Sequence, residues 1–141
     1  MSSLRIFGRI GLLWVCVFFG GCGKSDPYAP VPVSGVVTCN GKPIANGVVN
    51  FTPLPDQEGR SEGNRGRVAL GKTDSEGRFT LTTYQNNDGA IVGRHTVTVS
   101  MGFSEEGGSI VDKSFPCRGS SEEATVKAGM GEIKIEFGSK K

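Results

Sequence analysis

Gly66-Arg67-Val68-Ala69-Leu70-Gly71-Lys72-Thr73-Asp74-Ser75-Glu76-Gly77-Arg78-Phe79-Thr80-Leu81-Thr82-Thr83 decides how this chain is read, because it supports two incompatible chemistries. Gly66 to Thr73 satisfies the Gly-x-x-x-x-Gly-Lys-Thr spacing of a phosphate loop, whose backbone N–H groups cradle phosphate oxygens in front of a helix. The same residues also read as a strand, a tight turn at Asp74-Ser75-Glu76-Gly77, and a second strand. In that second strand Phe79 and Leu81 point one way while Arg78, Thr80 and Thr82 point the other. Context favours strands: Arg67 to Leu70 is strand-like, and Lys72-Thr73 runs into a turn and another strand where a phosphate loop needs a helix. No nucleotide site is expected, and Lys72 becomes a solvent-facing strand charge.

Working outward, the N-terminal end reads as a targeting segment. Arg5 and Arg9 precede an apolar run from Ile10 to Phe19, the length of a secretory hydrophobic region and about half of what a spanning helix needs. Removing residues 1–21 leaves 141 − 21 = 120 residues, a single-domain length. It also removes two of the 16 basic residues, leaving 14 against 14 acidic ones, so the remainder is close to neutral. No basic stripe is left for nucleic acid, and no partner of that kind is expected. The 22 glycines and 7 prolines punctuate the chain too often for long helices.

Gly23 to Pro32 holds three prolines and reads as an extended tether. Val33 to Thr38 and Val48 to Thr52 are β-rich runs on either side of Asn40-Gly41, a strong hairpin signal because both residues tolerate positive φ, so Val33 to Thr52 reads as a hairpin. Pro53 to Gly66 is polar and reads as a surface loop. Arg94 to Met101 alternates cleanly, with His95, Val97, Val99 and Met101 on one face. Ala124 to Ala128 and Glu132 to Phe137 read as a closing hairpin with Ile133, Ile135 and Phe137 inward. The expectation is an all-β fold, a single seven-stranded antiparallel β-sandwich spanning residues 33–138, with 139–141 as a tail.

Several of these segments resemble known families. Gly20-Gly21-Cys22 after the apolar run resembles a bacterial lipoprotein signal, which implies cleavage before Cys22, lipid on that residue, and residues 22–32 as acylated N-terminus and tether; an uncleaved anchor or an ordinary secretory signal is the alternative. Phe19 departs from the aliphatic residue usual three before the cysteine. Val33 to Thr38, Asn40 to Pro53, Gly71 to Thr83 and Asp88 to Val99 together resemble the carboxypeptidase regulatory-like domain, in the small lipoprotein form found in planctomycete bacteria. That resemblance implies a prealbumin-like (transthyretin-like) sandwich and an accessory or structural role. His95 stands where the family often has Tyr, and Cys39 where a polar or apolar residue is usual.

With Cys16 in the signal and Cys22 acylated, Cys39 and Cys117 remain, and an even pair in an exported chain points to a disulfide. Two free thiols, or pairing between chains, are the alternatives. Two cysteines and one histidine are too few soft ligands for a metal site, and no cofactor is expected. Gly59-Arg60-Ser61-Glu62-Gly63 matches a nucleophile elbow in spacing but lacks the flanking strand and helix. Asp74, Glu76 and Asp88 read as turn residues rather than calcium ligands. Arg118-Gly119-Ser120 resembles a motif of transthyretin-related hydroxyisourate hydrolases, but those enzymes need several histidines and carry it at the chain end.

The expectation is therefore an exported, non-enzymatic lipoprotein held to the cell envelope through Cys22. The outer membrane is favoured because Gly23 replaces the Asp that retains many lipoproteins at the inner one. The module is structural, adhesive or partner-binding, with an envelope protein as partner. The rival expectations are a transthyretin-like enzyme or accessory domain, and a glycan-binding module.

Overall fold

The computed structural model describes residues 26–55, 63–102 and 115–138. Cys22, the signal segment, most of the Gly59 to Gly63 motif, and Ile110 and Val111 lie outside the described residues. All regular structure within them is β. Ten strands occur in chain order: β1 (Pro30–Val31), β2 (Ser34–Cys39), β3 (Lys42–Pro43), β4 (Gly47–Pro53), β5 (Ala69–Lys72), β6 (Arg78–Thr80), β7 (Ala90–Ile91), β8 (Gly93–Met101), β9 (Ser121–Val126) and β10 (Ile133–Phe137). Three of them, β1, β3 and β7, are two residues long, so the expected count of seven describes only the longer elements.

Two four-stranded sheets organise the fold. In one, β10 and the β3/β6 pair flank β2; in the other the order is β5-β4-β8-β9. β1 and β7 form a separate two-stranded pair. The period-2 pattern decides which side chains each sheet buries. From the first sheet, Val37, Phe79, Ile135 and Phe137 face inward; from the second, Val49, Phe51, Ala69, Val97, Val99, Ala124 and Val126 do so, and all belong to one core cluster. The Phe51 ring lies 6.0 Å from Phe79 and 5.9 Å from His95, both tilted. His95 is fully enclosed and its ring Nδ1 lies 3.0 Å from the Gly93 carbonyl oxygen, so the imidazole packs as a flat core group, as its place in the alternation implies.

Three expectations about pairing are corrected. Asn40 (φ 48°) and Gly41 (φ 76°) do form the tight turn, but the returning strand is only Lys42–Pro43. The chain then leaves for the other sheet, so β2 and β4 are not a hairpin. The closing segments also separate: β9 pairs with β8, whereas β10 joins β2 in the other sheet. That last pairing is parallel, Ile133 to Phe137 against Gly35 to Cys39, so the sheets are not purely antiparallel. The decisive stretch divides in the same way, β5 staying with β4 and β6 with β2. The antiparallel neighbours β4–β5 and β8–β9 are joined by the long connections, and the shorter turns, apart from Asn40-Gly41 within its own sheet, carry the chain between sheets.

The expected tether is partly structural. Pro30–Val31 pairs with Ala90–Ile91, and Gly89, at φ +95°, packs so tightly that an added Cβ would lie 1.7 Å from the Val31 carbonyl oxygen. Only glycine fits there.

The Cys39 and Cys117 sulfurs are at bonding distance, with Cα atoms 5.8 Å apart. Cys39 ends β2, and Cys117 (φ 51°) sits in the turn before β9. A bridge at this position closes a segment of 78 residues, which in the chain-entropy picture contributes about 4 kcal/mol. The expected result is that the Cys39→Ser/Cys117→Ser double variant loses about that amount, and that reducing agent lowers the thermal midpoint of wild type but not of the variant. Equal midpoints with and without reductant would remove the bridge.

Candidate functional site

An open groove of about 920 Å³ lies over the place where β5 and β6 part company. Its apolar surface comes from Leu70, Val48 and Phe79, and its polar rim from Lys72, Asp74, Arg78 and Glu132. The groove exists because a hairpin is pulled open. Leu70 and Thr82 exchange two backbone hydrogen bonds, the Leu70 N–H donating at 2.9 Å and the Thr82 N–H at 2.8 Å. Four residues along, the Asp74 N–H donates to the Arg78 carbonyl at 3.0 Å. Alternation makes Lys72 and Thr80 the rung between these two, yet among the described residues the bridge between the arms is confined to Leu70–Thr82. The backbone N–H and C=O groups of Lys72 and Thr80 face the groove instead.

Charge on the rim is organised by Arg78. Its guanidinium meets Glu76 at 3.0 Å and Glu132 at 3.3 Å, on side chains that are half or more exposed. These carboxylates raise the Arg78 pKa, the hydrogen bond to Glu76 contributing most. Exposed pairs of this kind contribute little to stability but hold the guanidinium over the groove. A site with this lining can hold an extended polar chain against an apolar floor. Among the described residues the sole histidine is inside the core and does not line the groove. Nor do the described residues hold three or more His, Cys, Asp or Glu side chains grouped to bind a metal ion.

Of the three carboxylates read as turn residues, Asp74 and Asp88 hold turn N–H groups, whereas Glu76 pairs with Arg78. Asp74 Oδ1 accepts from the N–H groups of Glu76 and Arg78, each at 2.9 Å. The Asp88 carboxylate accepts from Thr83 at 2.7 Å and from Tyr84 and Gln85 at 2.9 Å. Glu136 accepts from the Thr38 hydroxyl and from the Gly41 N–H at 2.7 Å, tying β10 to the turn after β2, and both donors lower its pKa. Ala69 to Lys72 of the phosphate-loop pattern is strand β5. Arg118-Gly119-Ser120 lies in the turn after Cys117, where the Ser120 N–H donates to the Cys117 carbonyl at 3.0 Å. Glu132 is the rim residue that the sequence does not reveal. It is 54 residues from Arg78 and reaches it only through the β2–β10 pairing.

Desolvation raises the Asp88 pKa, but the backbone donors, chiefly Thr83, then Gln85 and Tyr84, outweigh it and bring the group below its ordinary 3.8. A carboxylate depressed on folding contributes stability above its unfolded pKa, and that contribution is lost as pH falls through the folded value. The Asp88→Asn variant is expected to lose about 1 to 2 kcal/mol at pH 7. As pH falls through the lowered Asp88 value the difference from wild type should shrink, because protonated Asp88 no longer offers a carboxylate. A pH-independent difference in thermal midpoint would show that the charge is not what stabilises the turn. Comparison with protein-family models, with curated proteins and with solved structures found no match.

Proposed function

We propose that this chain is an exported lipoprotein whose folded part is a non-catalytic, prealbumin-like β-sandwich held at the cell envelope by lipid on Cys22, where it acts as a structural, adhesive or partner-binding module. Two sheets that share one core, with their crossings made at short turns, are the observation that supports the sandwich. The enclosure of the only histidine in that core supports the non-catalytic reading, since a base needs access to the proton it removes. The cysteines have separate duties in this reading: Cys22 takes lipid, while Cys39 and Cys117 form the disulfide of an oxidising compartment.

The distance from anchor to domain follows from the pairing at Pro30. Eight positions separate Cys22 from that residue, which span at most about 28 Å. The domain is therefore kept close to the lipid surface, and its exposed strand edges are presented to whatever else occupies that surface. More than one acyl chain is needed for stable anchoring, each buried methylene contributing about 0.8 kcal/mol.

Expressed in a bacterial host with lipoprotein processing, the wild-type chain should partition into the detergent phase, with a mature mass that begins at Cys22 and includes acyl groups. Cys22→Ser should lack that mass and move to the aqueous phase. A wild-type product that retains Met1, or that lacks acyl mass, would overturn the anchoring.

A further inference from the structure

The sheets leave several edges, and they differ in what they can accept. The β5 and β6 edges are joined to each other by the Leu70–Thr82 rung. β3 is two residues long and contains Pro43, which has no N–H to donate. β9 carries Glu122 and Glu123 and no base, so no register gives it an opposite charge from its own copy. β10 is different.

On β10 the Asn40 N–H donates to the Phe137 carbonyl at 2.9 Å, so the polar backbone groups of Phe137, and by alternation those of Ile135 and Ile133, face β2. Those of Lys134 and Glu136 therefore face away, along the free edge, and no hydrogen bond among the described residues uses them. The side chains of Lys134 and Glu136 are exposed on the outer face, while Ile135 and Phe137 are buried. Two opposite charges thus flank one central residue, in the order Lys134-Ile135-Glu136.

This arrangement is self-complementary. We propose that β10 pairs antiparallel with β10 of a second copy of this chain, in the register that sets Ile135 opposite the second copy's Ile135. That register puts Lys134 opposite Glu136 of the second copy, and Glu136 opposite its Lys134. Both residues of each pair have outward backbone groups, so each pair exchanges two hydrogen bonds, four in all across a two-fold axis. The same pairs bring an ammonium and a carboxylate face to face on the solvent side, the favourable cross-strand combination. Within its own domain the Glu136 carboxylate accepts from the Gly41 N–H and the Thr38 hydroxyl on the β2 side, and facing Lys134 of the second copy requires it to turn toward the edge. Two copies joined in this way extend the β10-β2 sheet continuously through both domains. The inference concerns the folded domain and stands without the lipid anchor, although co-anchored copies would meet at a higher effective concentration.

The test is charge exchange on the full-length chain in detergent, with mass followed over a concentration series by sedimentation or light scattering. Wild type is expected to form a dimer. Lys134→Glu alone and Glu136→Lys alone each set like charges opposite one another twice, and each should weaken the dimer about tenfold or more. An equimolar mixture of the two single variants should restore it, because every opposing pair is then again one acid and one base. Hydrogen exchange supplies a second readout: the amides of Lys134 and Glu136 should be protected in the wild-type dimer and exchange freely in the Lys134→Glu chain. Circular dichroism checks that the variants remain folded; the Lys134 side chain is exposed and makes no hydrogen bond or ion pair among the described residues, so its variant decides the matter even if Glu136→Lys misfolds. A wild-type chain monomeric up to about 1 mM, a dimer indifferent to Lys134→Glu, or unprotected amides at Lys134 and Glu136 in a dimer would each overturn the proposal.

Discussion

The contact on which the two sheets depend is the packing of Phe51 between Phe79 and His95. Phe51 comes from the centre of one sheet, Phe79 from the edge of the other, and the three rings fill the space between the layers. Removing a buried aromatic ring of this kind costs about 3 to 5 kcal/mol, a large part of the margin by which a domain of this size stays folded. A histidine is acceptable beside Phe51 because Gly93, two residues before it on the same strand, provides a carbonyl for its ring nitrogen. The ring therefore behaves as a flat apolar body with one satisfied polar tip. The burial that makes His95 useful to the core also withdraws it from chemistry.

That shared core dictates the path of the chain. Each sheet can bury only one face, and the apolar side chains of β2, β6 and β10 fit opposite those of β4, β8 and β9. Short turns consequently serve as corners between layers. The stretch from Ala69 to Thr82 shows the physical compromise most clearly: a rung at Leu70–Thr82 and a partial one at Asp74–Arg78 keep its two arms together, while β4 and β2 pull the arms into separate sheets. Gly71 makes the close approach possible, since an added Cβ would meet the Thr80 carbonyl and the Leu81 side chain at 3.0 Å each. The groove is the visible result of that divided loyalty.

Three carboxylates among the described residues, at Asp74, Asp88 and Glu136, serve the backbone. Each accepts from amide N–H groups that a turn leaves without a strand partner, and such groups are costly to leave unmade. Asp74 and Asp88, whose side chains have the chemistry of metal ligands, are thus engaged in shaping loops. This local use of charge leaves the sheet edges to distinguish one surface from another. Lys134 and Glu136 on β10 and the glutamates on β9 give the two exposed edges different electrostatic characters.

The sequence by itself determined the β character, the turn residues and most of the core. Period-2 alternation put Phe79, Leu81, His95, Val97, Val99, Ile135 and Phe137 inside, and they are buried. Positive-φ tolerance located the turns at Asn40-Gly41 and Gly77. These are local properties, written in a few neighbouring residues. Which strand lies beside which was decided only by the tertiary structure, because a turn signal says that the chain reverses and not whether it stays in the same sheet. The parallel β2–β10 pairing, the Arg78–Glu132 contact and the meeting of Cys39 with Cys117 across 78 residues all follow from that choice. So did the fate of Gly66 to Thr83: its residue pattern allowed a phosphate loop or a hairpin, and the demand that two sheets bury one common core made it a corner between them.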